Sequence, residues 1–175
     1  MTTAASLNAE LDRPLAEPGR THRTSLGLLL WLFGFTGAHR FYYGRSASGT
    51  VQFLLFAACG ALTAALGPFA FPFWIVPGLW WIVDLFLLGS MQKDAARTYA
   101  AGPYSYSVAW VLQTFLGWAG VHRLYLDRWV SGLAMVVCAL SAPFLLGLPA
   151  LICGAVYLLD FWNLNEMVSE SNQRA

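Results

Sequence analysis

With 175 residues, of which 58% are hydrophobic, 15% aromatic and only 11% charged, the chain holds less than half the charge of a typical soluble domain, about 25%. That leaves too little polar surface to cover a globule in water, and a mean hydropathy of +0.56 agrees. A net charge of +1, with no Lys/Arg-rich run, excludes the field that would gather nucleic acid, so the composition predicts an integral membrane protein with no nucleic-acid partner.

In chain order, a polar N-terminal tail (1–23) holds Arg13, Arg20, His22 and Arg23. It has no apolar core near Met1, so a cleaved signal peptide is not expected. Three apolar stretches follow, 25–38, 51–66 and 69–88, within a first unit spanning 24–90. A polar linker, 91–106, separates them from 108–121, 129–148 and 149–164, which make a second unit spanning 107–165. Residues 166–175 read as a C-terminal tail. Hydrocarbon forces a chain to satisfy its own backbone hydrogen bonds, and no alternating ten-residue pattern marks a barrel, so all these stretches are expected to be helices. The predicted fold is all-α: tandem duplicated helical hairpin units with four to six membrane-embedded helical segments.

The duplication shows in the residues. At an offset of 83, Gly34, Gly37, His39, Arg40, Tyr42, Arg45, Ser48 and Gly49 meet Gly117, Gly120, His122, Arg123, Tyr125, Arg128, Ser131 and Gly132. Further on, Asp84 in "WWIVDLF" meets Asp160 in "VYLLDFW" at an offset of 76, so the second unit is seven residues shorter between its motifs. Segment 25–38 would span about 21 Å as a helix, short of the roughly 30 Å hydrocarbon core. It is therefore expected to run on through His39, Arg40, Phe41 and Tyr42, or to thin the bilayer, with the His-Arg pair at the membrane edge. Equivalent motifs most simply keep equivalent sides, which favours two crossings per unit. Residues 51–66 and 129–148 are then interfacial, re-entrant or bent segments.

The stretch "LLLWLFGFTGAHRFYYGRSASGTVQFLL", with "GLWWIVDLF" downstream, resembles the two-transmembrane (TM-two) domain family. Gly34, Gly37, His39, Arg40, Phe41, Tyr42, Gly44, Gly49, Trp81 and Asp84 carry the resemblance. The second unit keeps Gly117, Gly120, His122, Arg123, Tyr125, Gly132 and Asp160, but has Leu124 for the phenylalanine and Asp127 for the turn glycine. The resemblance implies membrane residence and leaves the biochemical role undefined.

Asp84 and Asp160 are the intramembrane polar residues, and such carboxylates face a bundle interior and have partners. An ion pair to Arg40, or a hydrogen bond to a helix N-terminus of the other unit, is preferred over a proton or cation site made by the two aspartates together. His39 and His122 lack the converging ligands a metal site needs, and no catalytic set accompanies the serines near the loops. No metal, cofactor or enzymatic activity is expected. Cys59, Cys138 and Cys153 lie singly in apolar runs and read as packing residues. Gly34, Gly37, Gly117 and Gly120 clear one side of each first helix for close packing, and Ala57, Ala61 and Ala65 form a small-residue row.

These features describe a non-catalytic assembly or interaction module in a membrane, expected to be a bacterial plasma membrane. His39, Arg40, Phe41, Tyr42, Arg45, His122, Arg123, Tyr125 and Arg128 are its candidate contacts with lipid headgroups, anionic ones among them, or with a membrane-protein partner or a second copy. The alternative is a small ion, proton or solute channel or transporter using Asp84 and Asp160.

Overall fold

The computed structural model describes residues 15–17, 19–145 and 147–175, and every regular element among them is helical. Of the expected N-terminal tail, residues 1–14, Arg13 included, and residue 18 lie outside this description.

Helix α1 (Thr24–Leu32) has nine residues, about 14 Å of helix. The expectation of a crossing helix over 25–38 is thereby corrected. The chain tightens into a 3-10 turn at Gly34–Thr36 and reverses at Gly37, whose φ of 67° is left-handed. That conformation costs other L residues roughly 1–2 kcal/mol. A Cβ on Gly37 would also stand 2.5 Å from the Gly49 carbonyl oxygen, so handedness and contact both demand glycine. Helix α2 (Ala38–Tyr42) then doubles back. Tyr42 Oη accepts the backbone N–H of Arg23, the residue capping α1, at 2.7 Å. The two short helices form a re-entrant wedge whose ends meet.

Helix α3 (Ser46–Leu66) runs outward for 21 residues, Gly67–Trp74 turns the chain as a 3-10 segment, and α4 (Ile75–Thr98) returns over 24 residues. Trp74 closes the outer end: its ring lies 5.7 Å from that of Phe56 and its Nε1 donates to Thr63 Oγ1 at 2.9 Å. The wedge packs along the inner half of α4. Thr24 Oγ1 donates to Gln92 Oε1 at 2.9 Å. Trp31 and Trp81 stack at 5.0 Å, and each indole N–H donates to the other's backbone carbonyl, at 2.9 and 2.8 Å.

The second unit is likewise helical. Helix α5 (Tyr106–Leu116) goes in, Gly117–Ala119 and Gly120 (φ 73°) reverse the chain, and α6 (Val121–Tyr125) comes back. Tyr125 Oη accepts the N–H of Ser105, which caps α5, at 2.8 Å. Helix α7 (Trp129–Ser141) is the outgoing arm and α8 (Leu148–Arg174) the returning one. Where the first unit turns at Gly44, with φ 78°, the second uses Asp127, with φ 60°.

Of the two segments expected to be interfacial, re-entrant or bent, 51–66 lies within the unbroken helix α3 and 129–148 forms α7 followed by a turn. The helices that turn back are the first ones, α1 and α5. Each unit has two arms, so both His-Arg loops lie at one end of the molecule, and Asp84 still reaches Arg40 because α1 turns back instead of carrying Arg40 to the far end.

Two helical runs, Ser46–Thr98 and Leu148–Arg174, are long and apolar enough to cross a membrane. Only 11% of the most apolar window of the first is buried, whereas the core helix of a soluble domain would be mostly buried. Val130, Phe144 and Phe69 are 88%, 84% and 83% exposed on the arms and tips, and no charged residue lies between Arg45 and Asp84 or between Arg128 and Asp160. The arms present hydrocarbon outward, as lipid favours and water does not. These are the features of a membrane protein, and among the described residues the charge lies at one end.

The core sits at that charged end, where Tyr42, Met91, Tyr106, Trp110 and Leu164 are buried together. Two boundaries expected from the sequence change as a result. Residues 91–98 of the supposed linker are the last turns of α4, with Met91, Ala95 and Ala96 buried. The supposed tail 166–175 lies almost wholly in α8, where Met167, Val168, Ser169, Ser171 and Asn172 are buried. Their polarity suits a seam of side chain to backbone bonds: Ser169 Oγ accepts the N–H of Ala100 at 3.0 Å, and Asn172 Oδ1 that of Tyr104 at 2.8 Å.

Candidate functional site

The wedge exists to hold a charge cluster. Consecutive residues of α2, His39 and Arg40, face Asp84 on α4, and all three are buried. His39 Nε2 and Arg40 Nε both lie 2.8 Å from Asp84 Oδ2, and Arg40 Nη2 donates to Oδ1. Arg40 Nη1 donates to Ser48 Oγ at 2.8 Å, and its guanidinium lies 4.9 Å from the centre of the Trp80 ring. A planar fork matched to a carboxylate, with the remaining donor satisfied and an aromatic face beneath, is the arrangement a buried arginine needs. The carboxylate is an acceptor, so His39 Nε2 carries a proton, and Asp84 has both oxygens engaged.

The second unit builds the same cluster with looser surroundings. His122 Nε2 lies 2.8 Å from Asp160 Oδ2, and Arg123 reaches the same carboxylate through Nε at 2.6 Å and Nη2 at 2.5 Å. Ser48 and Ser131 both donate to the carbonyl three residues back, at 3.1 and 3.2 Å, but only Ser48 also accepts from its unit's arginine, and Val156 stands where the first unit has Trp80. Arg123 is accordingly 19% exposed at its side chain against 6% for Arg40.

The other expected contact residues take structural partners too. Arg45 pairs with Asp94 at 2.5 Å and Arg128 with Glu170 at 2.6 Å, both at the rim. Phe41 packs edge-on to Phe161 of α8 at 5.0 Å. Tyr42 and Tyr125 cap the first helices of their own units, as described. The geometry therefore turns His39, Arg40, Phe41, Tyr42 and His122 inward, away from headgroups, and leaves Arg45, Arg128 and the edge of Arg123 in reach of the surroundings.

The four glycines act at contacts. A Cβ on Gly34 would collide with the Trp81 indole, and one on Gly117 with Gln113 and Tyr157. One on Gly120 would lie 2.6 Å from Met135 Cβ. Trp80 lies under the Arg40 guanidinium and Trp81 is taken up by Trp31. An apolar cavity of about 450 Å³ lies in the second unit between Trp118, Ala139, Cys153 and Tyr157. Its position corresponds to the Trp31–Trp81 pair that fills the first unit. No set of three or more His, Cys, Asp or Glu side chains suited to a metal ion converges among the described residues.

Two residues escaped the sequence reading. Asn165 of α8 donates from Nδ2 to the carbonyls of Phe41 and Tyr42, at 2.9 and 3.0 Å, while its Oδ1 accepts Trp110 Nε1–H at 2.8 Å and faces His22 Nε2 at 3.3 Å. One amide thus joins the motif of the first unit to helices of the second. Both Asn165 and His22 look like solvated polar residues in sequence, and only their places beside the apolar runs could have drawn attention.

No curated protein and no solved structure matches the chain. The segment containing α5, α6, α7 and the His122–Arg123–Asp160 cluster does match a known family. The match falls on the unit whose motif had looked the more divergent, and residues 24–90 lie outside it. Residues 102–162 match the family model of the TM2 domain, which fits a membrane protein of undefined biochemical role.

Proposed function

We propose that the chain is a non-catalytic membrane module made of two tandem TM2-type units, acting through contacts of its charged end with lipid headgroups and of its apolar arms with a membrane partner or a second copy. The alignment of the two motifs and the matching charge clusters support the duplication. The observation that carries the function is saturation: Asp84 and Asp160 each have both oxygens held by a histidine and an arginine of the same unit. A cation or proton path would need one of these carboxylates free to change partners, so the channel reading has no acceptor to use. Arg45 and Arg128 are the cations best placed for anionic headgroups, each on a rim and each held by a partly exposed acid. Clustering of the basic residues at the loop end, with no Lys or Arg between Arg45 and Lys93 or between Arg128 and Arg174, favours placing that end on the cytoplasmic side of a bacterial plasma membrane.

Reconstituted vesicles test this reading. No ion or proton flux should appear, and anionic lipid retained by the purified protein should fall when Arg45→Ala and Arg128→Ala are combined. Flux that disappears in Asp84→Asn would overturn it.

A further inference from the structure

The chain has a third buried histidine, in surroundings unlike those of the other two. His22 precedes α1 and is fully buried. Four tyrosine rings surround its imidazole, with centroids at 4.4 Å (Tyr106), 4.9 Å (Tyr42), 5.7 Å (Tyr99) and 5.9 Å (Tyr43). Asn165 Oδ1, oriented by the two carbonyls its amide group serves, faces Nε2, so Nε2 carries the proton. Nδ1 is buried and has no hydrogen-bond partner among the described residues. The backbone beside it is tied down: Gln92 Nε2 donates to the His22 carbonyl at 2.8 Å, and the Arg23 N–H goes to Tyr42. Residues 19–23 therefore cross the seam between the units, touching α2 and α4 of the first and α5 and α8 of the second.

We propose that residues 19–23 form a proton-released latch: neutral His22 pins the two units together, and a proton on its Nδ1 expels the imidazole from the tyrosine cage and frees the strap. The reason is local. An imidazolium needs acceptors at both nitrogens, and the cage supplies one; a buried unpaired charge is strongly disfavoured. Burial accordingly pushes His22 down from 6.5 to about 4. The groups facing it are Tyr42 from α2, Tyr43 just beyond α2, Gln92 from α4, Tyr99 beyond α4, Tyr106 and Trp110 from α5, and Asn165 from α8. The nearest charges are Arg23, next in the chain, and Glu166, whose Oε1 accepts the Tyr99 hydroxyl at 3.2 Å. Burial raises the phenols of Tyr99 and Tyr106, the latter to about 12, so they stay neutral over the relevant range.

A histidine whose docked pKa lies below its free value docks fully above the free value and loses docking as pH falls between the two. From 6.5 to about 4 the equilibrium shifts up to tenfold per pH unit, about 300-fold in all. The test is a nitroxide attached through Arg20→Cys, in protein with Cys59, Cys138 and Cys153 changed to Ala, labelled at neutral pH in vesicles. Its mobile spectral fraction should rise reversibly as pH is lowered toward 4.5. In His22→Phe, and in His22→Gln, which keeps a donor for Asn165, mobility should be independent of pH at whatever level it starts; Glu166→Gln should keep the rise. A flat response with His22 present, the same rise without it, or a rise abolished by Glu166→Gln would overturn the latch.

Discussion

Asp84 is fully buried and held by three donors, and this decides what its removal does. Asp84→Asn leaves Arg40 buried without its counter-charge, a loss of about 3–5 kcal/mol for a buried pair. Asp160→Asn should cost less, because Arg123 keeps an edge in solvent that Arg40 lacks. Thermal unfolding in detergent checks both the size and the order, and equal midpoints for the two variants would contradict the difference in burial. The pairing of Asp84 with Arg40 could be expected from the sequence, since a carboxylate in an apolar run needs a cation and few were on offer. The part played by His39 could not, because its adjacency to Arg40 in a five-residue helix, with both side chains on one carboxylate, depends on the chain reversing at Gly37.

The misjudged elements teach a related lesson. Residues 25–38 and 51–66 are equally apolar, and hydropathy alone cannot say which runs through and which turns back. The deciding features were glycines: Gly37 and Gly120 read as cleared packing surfaces, which they are, but their left-handed φ also reverses the chain. Gly37→Ala should therefore destabilise by at least the roughly 1–2 kcal/mol of a left-handed L residue, with the contact to Gly49 added. Gly34 is a different case, since its conformation is ordinary and only space is at stake. Gly34→Leu should push Trp81 off Trp31 and lower the thermal midpoint, with a change in tryptophan emission as the local readout; an unchanged profile would mean that the wedge packs elsewhere. Tyr42→Phe and Tyr125→Phe remove the hydroxyls that cap α1 and α5, each expected to cost about 1 kcal/mol as a cap does. The extension of α8 to Arg174 was illegible because its last turns bury small polar side chains against backbone, a pattern that composition reads as a solvated tail.

At the scale of the molecule, two wedges and two hairpins share one charged, well-packed end and splay apolar arms away from it. The account stands on both His-Arg loops lying at that end, with no arm carrying one of them across. Side-specific thiol labelling tests this most directly, using Arg45→Cys, Arg97→Cys and Arg128→Cys one at a time in protein with its three native cysteines changed to Ala and inserted in sealed vesicles of known orientation. All three positions should react with an impermeant reagent from the same side. Labelling of positions 45 and 128 from opposite sides would contradict the account.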